Sequence, residues 1–242
     1  MSGAPRPPSW YVDSATPLPP QPVLEGAVQA DVCILGAGYT GLSTALELAE
    51  AGYRVVVLEA ECVGWGASGR NGGQAIVGYG CEQSTLERLQ GREQARLLFD
   101  LSREAMDRLR GRIARHGIAC DWRDGHAHVP IRARQERGLR AGMVEMAQRY
   151  DYPLEWWDRA RLRQELASDR YRGAVYDAAS GHLHPLEYCL GLARAALAAG
   201  VRIFEQSPVL ELVRGPRPLL RTAGGTARGD FAVLCGAWAD RR

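Results

Sequence analysis

Six residues, Gly36-Ala37-Gly38-Tyr39-Thr40-Gly41, constrain what this chain can fold into more than any others. They form G-x-G-x-x-G between the apolar, β-branched run Asp31 to Gly36 (DVCILG) and a segment, Tyr39 to Glu50, in which Leu42, Ala45, Leu46 and Ala49 recur at helical spacing. Strand, tight turn and helix follow in the order that dinucleotide binding requires. Gly36 permits the turn, Gly38 lets backbone approach a pyrophosphate, and Gly41 lets helix and strand pack closely. The phosphate charge then meets unpaired N–H groups at the helix N-terminus, which carry about half a positive charge.

Gly52 is placed to close that helix, and Arg54 to Leu58 (RVVVL) reads as a second buried strand ending at Glu59. An acid at this point can accept both ribose hydroxyls of an adenosine and would repel a 2′-phosphate, which argues against NADP. Directly after it, residues 64–74 (GWGASGRNGGQ) are dense in glycine, so exposed N–H groups can line a long cofactor. Ser68 can donate to a phosphate, while Gly72, Gly73 and Gln74 are candidates to lie beside a flat ring.

Composition narrows the remaining choices. The 242 residues are 46% apolar and 24% charged, the net charge is +2 with both signs interspersed, and no apolar run of about 18 residues is present. A basic stripe for nucleic acid is not expected, nor is a membrane span. The proline-rich start lacks a secretory pattern, so the expected compartment is the cytoplasm, with the first eight or so residues a mobile tail. All 30 basic residues are arginine, which removes lysine from any Schiff-base or general-base role. The six cysteines show no C-x-x-C spacing and are expected to be buried, reduced thiols, with no metal site.

Farther along, Ser84 to His116 has helical spacing with Leu98, Leu101, Ala105, Leu109 and Ile113 on one stripe, ended by Gly117. Weak alternation over 118–131, a polar helix at 132–150, and strands at 153–157 and Ala174 to Tyr176 suggest a different architecture. Trp156 and Trp157 read as core aromatics rather than substrate walls. Pro185 opens a helix to Ala199, Gly200 caps it, and strand candidates follow at 201–205, 209–213, 219–222 and 231–235. The domain reading is therefore a proline-rich arm (1–23), a cofactor domain in two parts (24–117 and 183–242) and an inserted segment (118–182).

In order, DVCILGAGYTGLSTALELAEAG, VVVLEA, GASGRNGGQ, ASDRYRGAVYD, GHLHPLEY and VLCGAW make the chain resemble the FAD-dependent oxidoreductases of the D-amino-acid oxidase (DAO) family, most of all their gamma-glutamylputrescine oxidoreductase branch. The resemblance implies an α/β fold: a Rossmann-like FAD-binding domain with an inserted, incomplete α+β substrate domain. It implies that Gly36, Gly38 and Gly41 hold the pyrophosphate and Glu59 the ribose, and that Ser68, Arg70, Asn71, Gly73 and Gln74 line the diphosphate and isoalloxazine. Tyr39, Thr40, Ala60, Gly72 and Val209 count among the cofactor contacts, as do Cys235, Gly236, Ala237 and Trp238, where cysteine replaces the family's usual small residue. His182 and His184, in GHLHP, are candidates for proton transfer to or from substrate, weighed against a role ordering the loop before the Pro185 helix.

The implied reaction is amine oxidation at FAD, with a small-molecule amine and oxygen as reactants and an aldehyde, ammonia and hydrogen peroxide as products. Rival readings are an oxidase of sarcosine, glycine or D-amino acids in the same family, and a non-catalytic flavin-binding subunit. Members of the family run about as many residues again, so a partner chain or a C-terminal half is expected to complete the substrate sheet.

Overall fold

The structure is a computed structural model and describes residues 6–236. Along the chain come α1 (Trp10–Ser14), β1 (Gly26–Gln29), β2 (Val32–Leu35), α2 (Tyr39–Glu50), β3 (Val55–Leu58), a 3-10 turn (Ala67–Gly69) and β4 (Gln74–Ala75). Then follow α3 (Gln83–Gln90), α4 (Arg92–His116), β5 (Arg123–His128), α5 (Ala133–Tyr150), β6 (Glu155–Trp157), α6 (Arg159–Glu165) and β7 (Ala174–His182). The last elements are α7 (Pro185–Ala198), β8 (Arg202–Phe204), β9 (Glu211–Val213), β10 (Leu219–Arg221), β11 (Gly225–Arg228) and β12 (Phe231–Leu234).

These form two compact units. Among the described residues the first comprises 6–72, 113–120 and 184–236, and the second 73–112 and 121–183. The division departs from the expected boundary after residue 117, because the chain leaves the first unit as soon as the glycine-rich loop ends. Gln74 and Ala75 already pair with β7, and most of α4 goes with them.

The first unit holds a parallel sheet in the order β12-β2-β3-β8 and a second sheet in the order β1-β11-β10-β9. The two central parallel strands, β2 and β3, are short and almost wholly buried, as strands covered on both faces must be, whereas β8 and β12 at the sheet edges are partly exposed. Cys33, Val56 and Leu58 meet Leu220 and Ala227 of the second sheet and Leu24 and Ala30 beside it, forming the core between the sheets. Alternation turns Ile34 and Val57 to the opposite face, and α2 packs against β2, β3 and α7. In α7, ten residues from Pro185 to Ala196 are buried, so this helix is sealed nearly all round.

The N-terminal arm is part of this unit. The guanidinium of Arg6 donates to the Val63 carbonyl, and α1 is capped by the Ser9 hydroxyl. Arg6 to Pro8 are therefore tied down, contrary to the expected mobile tail, while residues 1–5 lie outside the described part.

The second unit is an antiparallel sheet, β4-β7-β5 with β6 also on β7. The expected strand at 174–176 extends to His182, because β7 serves as partner to three strands in turn. Residues 83–116 are two helices, not one: Gly91 adopts φ +80°, a conformation closed to most residues, and breaks the run. The buried face of α4 is Ala95, Phe99 and Met106, whereas Leu101 and Ala105 are exposed, so the expected stripe is rotated from the true one. Phe99 packs edge-on against Tyr150 and Tyr152, a ring cluster that spacing of leucines does not reveal. Trp157 is buried and stacks on Tyr176, and Arg140 lies 3.9 Å over the Trp156 ring.

All six cysteines are free, but Cys81 is exposed and Cys62 and Cys235 are only half-buried, so uniform burial is corrected. Among the described residues no helix is long and apolar enough to cross a membrane, and no group of His, Cys, Asp and Glu is placed to hold a metal.

Candidate functional site

The ladder between β2 and β3 runs on into the glycine turn, because the Gly36 N–H donates to the Leu58 carbonyl at 2.8 Å. Gly36 sits at φ +102°, and a Cβ there would lie 3.0 Å from the Gly236 nitrogen. A Cβ on Gly41 would lie 1.9 Å from the Gly36 carbonyl oxygen, so α2 crosses the end of β2 at a distance only glycine allows. Gly38 is the N-cap of α2 and offers no side chain to the helix terminus; a Cβ there would lie 2.8 Å from Ser68 Oγ. Ser68 Oγ instead accepts the Tyr39 N–H at 3.0 Å, which brings the 3-10 turn onto the start of the helix.

Glu59 follows β3 directly. Its Oε2 accepts the Ala37 N–H at 2.8 Å and its Oε1 accepts the Glu61 N–H at 3.0 Å, so one half-buried carboxylate binds both the glycine turn and the loop after β3. A carboxylate offers about four lone-pair sites, and two remain for an external diol. The Gly64 N–H donates to the Ala37 carbonyl at 3.0 Å and completes this cradle.

Tyr39 and Asn71 serve the frame. The Tyr39 hydroxyl donates to the Pro185 carbonyl at 2.9 Å and accepts from Asn71 Nδ2 at 3.2 Å, and burial pushes the phenol well above its ordinary pKa. Asn71 Nδ2 also donates to the Ala67 and Ser68 carbonyls, each at 3.1 Å. Arg70 is exposed and stacks on Trp65 at 4.6 Å; Thr40, Ala60 and Gly72 are exposed, and Val209 packs against the inter-sheet core. Cys235 and Gly236 lie beside the glycine turn, the Cys235 N–H donating to the Leu35 carbonyl at 2.8 Å. Ala237 and Trp238 lie outside the described residues.

The two histidines part company. His184 belongs to the first unit and is the N-cap of α7, where Nδ1 accepts the Glu187 N–H at 3.1 Å and Nε2 lies 3.0 Å from Ser14 Oγ. Both ring nitrogens are thus engaged in holding structure. His182 belongs to the second unit, with an exposed side chain on β7 directly opposite Gln74 of β4 and Arg123 of β5. In that unit Gly73, at φ +71°, accepts the Leu183 N–H at 2.9 Å, so Gly73, Gln74 and His182 come together.

Two polar residues that sequence patterns pass over are built into the first unit, Glu205 and Ser207, both buried. Their only signal is position: like Glu59, they follow the end of a parallel strand.

A depression of about 390 Å³ opens at the other end of the parallel sheet, lined by Gln29, Tyr53, Arg54 and Arg202 among others. It lies where β3 and β8 begin. Ligands of open parallel sheets bind outside the carboxyl ends of the strands, where the glycine turn is, so this hollow is not the site.

The family model described as DAO, FAD dependent oxidoreductase, matches residues 31–242. This chain belongs to the DAO family of FAD-dependent oxidoreductases. The family's cofactor is FAD, and the glycine turn and acid described above fit it. This DAO-family chain is 45% identical over 208 residues to the "Probable oxidoreductase OrdL" of Haemophilus influenzae, covering 85% of the chain and 48% of that protein. It is 39% identical over 228 residues to gamma-glutamylputrescine oxidoreductase of Escherichia coli, covering 94% of the chain and 54% of that protein. Among solved structures, glycine oxidase from Geobacillus kaustophilus superposes with a TM-score of 0.67 at 24% identity, over 88% of this chain and 57% of that one, which shows a shared fold. The chain spans about half the length of the curated relatives it matches.

Proposed function

We propose that this chain carries the FAD grip of an amine-oxidising flavoenzyme whose substrate resembles gamma-glutamylputrescine. The observation that carries the reading is the Glu59 carboxylate. It is fixed by the Ala37 and Glu61 N–H groups beside a glycine turn where a Cβ on Gly38 or Gly41 would collide with its neighbours. In this reading Glu59 accepts the ribose hydroxyls, and the N-terminus of α2, opened by Gly38 and flanked by Ser68, receives the diphosphate. FAD held there would supply the redox chemistry, oxidation of the amine at the carbon next to nitrogen with oxygen as the final electron acceptor. Tyr39 and Asn71 hold the loop around Ser68 in place, and His184 holds the start of α7. His182, beside Gln74, is the residue proposed to handle a proton near substrate.

The substrate class is supported by the 39% identity to gamma-glutamylputrescine oxidoreductase. The test is to reconstitute the protein with FAD and follow hydrogen peroxide with gamma-glutamylputrescine, putrescine, sarcosine, glycine and D-alanine. Preference for gamma-glutamylputrescine supports the reading, and preference for an amino acid replaces it with the rival oxidase. A second reading is favoured by the matched length, about half that of the relatives: a flavin-binding portion that turns over only when completed by further polypeptide. Stoichiometric flavin without peroxide production is its signature.

A further inference from the structure

We propose that Glu205 is a positioning residue for the adenosine-ribose grip, acting by pinning the turn that follows Glu59 to the N-terminal arm. Glu205 is 7% exposed, yet it carries a carboxylate. Burying such a group is costly unless donors surround it. Here Oε1 accepts the Val63 N–H at 2.7 Å and Oε2 accepts the Gln21 N–H at 2.9 Å, two charge-assisted bonds to backbone from opposite sides.

The residues around it continue the same contact. The Glu205 N–H donates to the Pro22 carbonyl at 3.2 Å, and the Gln206 N–H and Nε2 both donate to the Glu61 carbonyl, at 2.9 and 2.7 Å. Gln206 makes this reach at φ +51°, a left-handed conformation that a non-glycine residue adopts at a cost. The Ser207 N–H donates to the Glu59 carbonyl at 2.9 Å, while its hydroxyl accepts the Leu24 N–H at 2.9 Å and donates to the Glu205 carbonyl at 2.8 Å. Residues 205–207 therefore grip 59–63 on one side and 21–24 on the other. Arg6 adds a bond from the arm to the Val63 carbonyl.

What this fixes is the Glu61 N–H, which orients Glu59 Oε1, and Gly64, whose N–H holds the Ala37 carbonyl. Without the clamp, the turn at 61–63 loses its acceptor at Val63, and Glu59 loses a preset geometry. Preset geometry is what spares a ligand the cost of ordering its site.

The inference rests on the FAD reading, and its test separates the two. Glu205→Gln keeps the shape but replaces one carboxylate oxygen with an amide nitrogen that cannot accept. Gln21→Pro removes the N–H that Oε2 accepts, within a stretch, PLPPQP, that is already proline-rich, and Gln21→Ala is its control, since both lose the exposed side-chain bond from Gln21 Nε2 to the Pro19 carbonyl but only the proline loses the N–H. Binding of ADP by calorimetry and of FAD by flavin fluorescence is measured on the full chain, well below the unfolding transition. The expected result for Glu205→Gln is a rise of about tenfold in Kd for ADP and FAD alike, and for Gln21→Pro about threefold, the scale of one weakened hydrogen bond. A purely structural role would lower the unfolding midpoint and leave both Kd values unchanged in both variants. That result, with the parent binding ADP, overturns the proposal and leaves the FAD reading intact. A parent chain that binds neither ADP nor FAD overturns both. If Glu205→Gln fails to fold, Gln21→Pro alone decides, since the arm lies away from Glu59 in sequence and its deleted N–H contacts only Glu205.

Discussion

Replacing Glu59 by alanine is the sharpest perturbation of the cofactor grip. The carboxylate has two protein donors, Ala37 N–H at 2.8 Å and Glu61 N–H at 3.0 Å, and lone pairs left over for the two hydroxyls of a ribose. A hydrogen bond to a charged group contributes about 1.5–3 kcal/mol. Losing one such bond to the ribose raises the Kd for FAD roughly ten- to a hundredfold. The second ribose bond adds less, because the diol shares one carboxylate and the two contacts are not independent. Glu59→Gln should fall between parent and alanine: its amide oxygen still accepts one N–H, but its NH2 then faces the other donor. The assay is fluorescence titration of the apoprotein with FAD, with circular dichroism on the same samples to verify the fold. An alanine variant that is folded and binds FAD as tightly as the parent would refute the assignment of Glu59 to the ribose, and with it the reading of the β3 terminus as the adenosine end.

Further outcomes follow from the geometry and from the burial of individual groups. Gly41→Ala places a Cβ 1.9 Å from the rigid Gly36 carbonyl, so the variant should lose several kcal/mol of stability or fail to fold, read by denaturant unfolding. Gly38→Ala meets only the Ser68 hydroxyl, which can rotate away, so it should stay folded while FAD affinity drops about tenfold, and equal behaviour of the two glycine variants would contradict the packing described. His184→Gln should lower stability by about 1 kcal/mol through the lost cap of α7 and leave the flavin spectrum unchanged, whereas His182→Gln should depress turnover more than flavin content. Alkylation followed by mass spectrometry at about pH 8 should label Cys81 first and spare Cys33 and Cys189, whose thiols burial pushes up to about 11 and about 12, since only the thiolate reacts. Finally, hydrogen bonds from Arg54 hold the Asp31 carboxyl below its ordinary pKa, so its contribution is present at neutral pH and lost as pH falls through that lowered value; Asp31→Asn should flatten the acid limb of a stability-against-pH curve.

Much of the first unit can be read directly from residues 31–59. The turn, the helix at Tyr39–Glu50 and the buried strands are local features, set by glycines without side chains and by apolar residues at fixed periods, and these act through neighbours a few positions away. The two strands Gly26–Gln29 and Gly225–Arg228 escape such reading because they are short, polar in part, and pair in parallel with partners 199 positions apart in sequence. The stripe on α4 is misjudged for a related reason: leucines mark apolar surface, but the buried face is chosen by where Tyr150 and Tyr152 wait to receive Phe99.

The sequence by itself determines that a glycine turn opens a helix after β2 and that an acid stands at the end of β3, the frame on which the proposed cofactor grip rests, because glycine spacing and strand ends are matters of local geometry. Tertiary structure alone decides that His184 caps a helix while His182 stays exposed, that Tyr39 and Asn71 brace the loop, and that Glu205 reaches the same turn as Arg6. Those roles depend on which donors and acceptors long-range packing brings within about 3 Å, a distance that no periodicity along the chain encodes.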